Sequence, residues 1–106
     1  MALTRINFVQ RKSYLDKVKT KLSEELKNLE QFYEKNEGLQ ERRAEIMEVW
    51  GRASCEGENE TRLSFEKLWK DFHEREKKAV LINRNARLAE GYSMAKGVLA
   101  ELIVIK

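Results

Sequence analysis

Histidine, cysteine and closely spaced carboxylates are the side chains that hold metals or move protons, and this sequence offers few of them. His73 is the single histidine, with Trp69, Lys70, Glu76 and Lys77 as its neighbours at helical spacing. A structural zinc needs four ligands and a nucleophile needs a base in reach, so a lone imidazole in a charged run reads as a solvated side chain. Cys55 is the only cysteine; with Glu56 and Glu58 beside it and no histidine partner, it is not arranged as a nucleophile. The glutamate spacings Glu30–Glu34 and Glu41–Glu45 would put carboxylates on one helix face. Iron sites in helical bundles also need a Glu-x-x-His motif, which the sequence lacks. It has no glycine-rich phosphate loop either. The expectation is therefore a non-enzymatic protein with no catalytic residue, no metal and no cofactor.

What remains is surface, and the elements that present it are helical. The chain has 106 residues, room for one domain, with no proline and only five glycines. Charged residues make up 37% and hydrophobic ones 42%, with a net charge of +3. Balanced charge with regularly recurring apolar positions points to long helices rather than to a disordered chain. A single cysteine cannot form an intrachain disulfide. The opening "MALTRINFVQRKSYL" has no apolar core of secretory length, and no apolar run exceeds the length of Leu102–Ile105, far too short to cross a membrane. These features predict a cytoplasmic or otherwise intracellular protein with no transmembrane segment.

Heptad periodicity organises the first half. Phe8, Leu15, Leu22, Leu29, Asn36, Arg43 and Trp50 form one series, with Val18, Phe32, Leu39 and Ile46 as the second and Leu26, Tyr33 and Met47 beside it. Glycine, serine and asparagine cluster only in "RASCEGENET", residues 52–61. Phe65, Leu68, Phe72, Ala79, Ile82 and Ala86 then form a further seam. Beyond residue 80 that seam moves by one position, to Leu81, Leu88, Tyr92, Ala95, Leu99 and Leu102. The pattern predicts an all-α domain over 1–106: a helix over 5–52 with a weak point at Gly38, a loop over 53–61 and a helix over 62–105. The two helices would form a long antiparallel coiled-coil hairpin, completing a helical bundle by oligomerisation. A break at Gly38 would give a three-helix bundle instead.

The last stretch, "MAKGVLAELIVIK", carries apolar residues on more than one face. One opposing helix can bury only one stripe, so the remainder implies another molecule. The expected partner-binding residues are Val80, Met94, Val98, Leu102, Ile103 and Ile105, and the expected partner is a second copy, most simply in a dimer, or another helical protein. An alternative follows from charge. Residues 1–22 hold six basic side chains and one acid, 23–60 hold eleven glutamates against five basic residues, and 61–106 hold ten basic against six acidic. In a single hairpin both termini would make a basic end able to touch nucleic-acid phosphate, with the acidic loop at the far end.

Overall fold

A computed structural model describes residues 13–36 and 38–106. The domain is all-α, and among the described residues four α-helices pack together: α1 (Tyr14–Leu29), α2 (Gly38–Ala53), α3 (Glu58–Leu81) and α4 (Ala86–Ile103). A short 3-10 helix, Glu30–Phe32, follows α1. Phe8, the first position of the heptad series, lies outside the described residues.

Local chemistry sets each boundary. Ser13 caps α1, its Oγ accepting from the Asp16 amide at 3.2 Å. Asp16 itself sits in the first turn, where a carboxylate meets the positive end of the helix dipole. The turn between α2 and α3 is tight. Gly57 there has φ 122°, a conformation that glycine adopts without strain, and α3 begins at the next residue. Thr61 lies inside α3, fully buried, with its Oγ1 donating to the Gly57 carbonyl at 2.7 Å.

The long helices expected over 5–52 and 62–105 are both divided. In the first half the α-helix stops at Leu29 and restarts at Gly38, the weak point read from the sequence. The second break was not expected. Residues 82–85 reverse the chain, with Arg84 in the left-handed region at φ 49°. The Lys78 carbonyl accepts from the Ile82 and Asn83 amides, and the Ala79 carbonyl from Asn85, so the end of α3 is closed by its own backbone. Asn85 then caps α4 by accepting from the Leu88 amide at 3.1 Å.

With both arms broken at the same height, the expected hairpin is doubled over on itself. Antiparallel contacts between α2 and α3 survive: the Trp50 and Phe65 rings stack at 6.5 Å. Contacts between α1 and α4 survive too, with Tyr14 Oη donating to the Leu102 carbonyl at 3.0 Å. Folding adds α3 against α4 and α2 against α4, so α4 touches all three other helices. Val18, Leu22 and Leu26 of α1, Leu39 and Ile46 of α2, Phe65 and Phe72 of α3, and Tyr92, Val98, Leu99 and Leu102 of α4 share one core. The cover that the C-terminal helix needs is supplied from within the chain.

Candidate interaction surface

The residues first suspected of chemistry act as struts. His73 is half-buried between α3 and α4, its ring stacked on Trp69 at 5.2 Å and its Nδ1 2.9 Å from Lys96 Nζ. An ammonium has only donors, so Nδ1 accepts and the ring proton belongs on Nε2. Lys96 also donates to Glu76 Oε1 at 3.2 Å and lies 5.0 Å from the centre of the Trp69 ring. This arrangement ties two helices and leaves His73 without a second ligand group. Cys55 is exposed in the α2–α3 turn, its Sγ 3.4 Å from the Gly51 carbonyl. Among the described residues no three His, Cys, Asp or Glu side chains converge on a point.

Glu45 is occupied by two arginines. Arg75 of α3 donates to Oε1 at 2.7 Å, and Arg42 Nε lies 2.7 Å from Oε2 without the alignment of a hydrogen bond. Arg42 is buried, its guanidinium over the Tyr92 ring at 4.7 Å. Desolvation alone would lower the Arg75 pKa, but the Glu45 hydrogen bond and charge, with Asp71 added, leave it above the usual arginine value. Arg42, Glu45, Arg75 and Tyr92 thereby lock α2, α3 and α4 into one register. The heptad series had placed Arg43 inward; α2 instead buries Arg42 beside Leu39 and Ile46 and leaves Arg43 exposed.

At the end where α1 begins and α4 stops, α4's last carbonyls are capped by neighbours. Tyr14 takes Leu102, and Arg62 of α3 donates to Ile103 at 2.9 Å while covering the Tyr14 ring at 4.2 Å. Burial raises the Tyr14 pKa, Arg62 opposes it, and Glu58 and Glu66 add to it. Glu58 lies beside Tyr14 because the α2–α3 turn shares this end with the start of α1. Among the described residues, doubling the hairpin brings the α2–α3 turn to the end where α4 stops, with Glu58 paired to Arg62, so the wide separation of acidic loop from basic end drawn for a single hairpin is reduced.

The six expected partner-binding residues divide. Val98 and Leu102, at 2% and 0% exposure, belong to the core, and the surface assignment is corrected for both. Their cover comes from α1, α2 and α3, which a straight hairpin could not bring together. Met94, Ile103 and Ile105 are partly buried against the same core. Val80 is 53% exposed and adjoins two residues that the heptad reading placed in a seam, Leu81 at 76% and Ile82 at 71%. These three consecutive aliphatic side chains form the α3–α4 corner. Lys78, Arg84 and Arg87 border them in sequence, and none of the three makes an ion pair among the described residues. The one-position slip in the seam at residue 80 was the sequence's signal of this corner.

A second opening lies between α1 and α2, the loosest of the antiparallel neighbours. The cleft encloses about 410 Å³ over a floor of Leu22, Leu26, Met47 and Trp50. In comparisons with protein-family models, curated proteins and solved structures, none matches the chain. Function is therefore read from these surfaces alone. Among the described residues no helix is long and apolar enough to cross a membrane.

Proposed function

We propose that the chain is a non-enzymatic helical interaction module, an adaptor, complex subunit or chaperone-like partner, that binds itself or another helical protein. The observation that supports this is the α3–α4 corner. Val80, Leu81 and Ile82 stand 53%, 76% and 71% exposed in one consecutive run, whereas the other exposed large apolar residues described, Met47, Leu63 and Val104, stand singly. Each large aliphatic group moved from water into an interface contributes about 1.5–3 kcal/mol before ordering costs, so the corner alone can drive a moderate association. Contact through this corner replaces contact through the sides of α4, which the fold occupies. An exposed, unpaired Cys55 suits a reducing, intracellular setting.

The test is the double variant Leu81→Glu/Ile82→Glu. Both positions are solvent-exposed, so helicity by circular dichroism stays at the wild-type level. Sedimentation velocity from micromolar to sub-millimolar protein is expected to show wild-type self-association that the variant loses, or, for a monomeric wild type, quantitative pull-downs should show protein partners captured only by the wild type. A wild type that is monomeric and captures the same proteins as the variant refutes the proposal. So does binding to generic nucleic acid that weakens steeply with salt and disappears in an Arg84→Glu/Arg87→Glu variant, because phosphate would then be the ligand.

A further inference from the structure

We infer that the cleft between α1 and α2 is a docking groove for an amphipathic helix flanked by acidic residues, supplied by a partner protein. The walls carry the argument. On α1 the lining positions 19, 22, 23, 26 and 27 fall at helical spacing, and on α2 so do 43, 47 and 50. Two such stripes, antiparallel and a little over two turns long, fit a third helix laid between them, its anchors repeating every three or four residues. The floor is apolar: Leu22 and Leu26 are buried at its base, while Met47 is 39% exposed and Trp50 partly so. Among the described residues no side chain fills the groove.

The rim decides the occupant. Lys19 and Lys27 stand on the α1 side and Arg43 on the α2 side, all three exposed and in no ion pair among the described residues. One carboxylate, Glu30, sits at the end nearest the α1–α2 connection. Three cations against one acid around an apolar floor complement a helix whose leucine-type stripe is bordered by Glu or Asp. The first twelve residues of the chain have the wrong sign for this role, with Arg5, Arg11 and Lys12 and no acid. The groove is separate from the α3–α4 corner, so it gives the module a second contact surface with its own preference.

Two labelled synthetic peptides test this: four-turn helices with the same leucine stripe, one flanked by glutamates and one by lysines. Fluorescence anisotropy should show the glutamate peptide binding at least about tenfold more tightly, with the gap narrowing as salt screens the rim. In a Trp69→Phe background, Trp50 emission should report the same event. Met47→Glu, at an exposed position, should abolish binding with helicity retained, and Lys27→Glu/Arg43→Glu should reverse the preference toward the lysine peptide. Leu81→Glu/Ile82→Glu should leave peptide binding intact, which separates this inference from the corner. Equal binding of both peptides, no binding of the glutamate peptide, or indifference to Met47→Glu overturns it. Self-association of the wild type that Met47→Glu removes also overturns it, since the groove would then hold a second copy.

Discussion

Leu81 and Leu102 occupy equivalent seam positions if the second half of the chain is one helix, and opposite environments if it turns at residues 82–85. Leu102 is fully buried, whereas Leu81 is 76% exposed. Truncation of each to alanine removes the same atoms, so chemistry is held constant and only burial differs. For Leu102→Ala the lost transfer free energy and the cavity left among the α1, α3 and α4 side chains together cost about 3 kcal/mol, within the range of buried leucine truncations. For Leu81→Ala the expected change is below about 0.5 kcal/mol, with alanine's helix preference offsetting the small burial lost. Urea denaturation followed at 222 nm resolves the two. With an m-value of about 1.5 kcal/mol per molar, Leu102→Ala lowers the midpoint by about 2 M and Leu81→Ala barely moves it. Equal losses at the two positions would show a continuous helix with one seam, and the four-helix arrangement would fall with it.

Two glycines of α4 give a second contrast. Gly97 has open space where a Cβ would stand, so Gly97→Ala should raise stability by up to about 1 kcal/mol in the same denaturation assay. At Gly91 a Cβ would meet Asn36 Oδ1 at 3.3 Å, and Asn36 is buried with its Nδ2 donating to the Arg87 carbonyl at 2.6 Å. Gly91→Ala should therefore yield no gain, and a loss if the Asn36 amide is displaced. A further prediction concerns alkaline pH. Burial raises the Tyr14 pKa above its unfolded value of about 10, so the native state holds that proton more tightly. Its contribution is fully present below pH ~10 and is lost as pH rises through the folded pKa. Stability measured between neutral pH and strong alkali should decline there, and Tyr14→Phe should flatten the decline while costing about 1 kcal/mol at neutral pH for the lost bond to the Leu102 carbonyl.

Much of this fold is legible in local chemistry. The spacing of Val18, Leu22, Leu26, Leu39, Ile46, Phe65 and Phe72 marks helix faces that the structure buries. Glycines and polar residues around Gly57 mark the α2–α3 turn, and Gly38 marks a weak point where α2 begins. Even the antiparallel pairing of Trp50 with Phe65 follows from matching apolar positions on the two strings of residues. The corner at residues 82–85 was visible only as a slip in the seam, since Asn83, Arg84 and Asn85 carry no glycine or proline to announce a reversal.

The division between sequence and tertiary structure is sharpest in α4. Its residues determine that it must be surrounded, because Tyr92, Ala95, Val98, Leu99 and Leu102 project over too wide an arc for one neighbour. They do not determine whose atoms surround it. A second chain and the other half of the same chain satisfy the hydrophobic requirement equally, because burial of apolar area is non-directional. Geometry made the choice: two breaks at one height let α1, α2 and α3 reach α4 together. That moved the unpartnered apolar surface to Val80, Leu81 and Ile82, and opened a basic-rimmed cleft that periodicity alone had assigned to a filled seam.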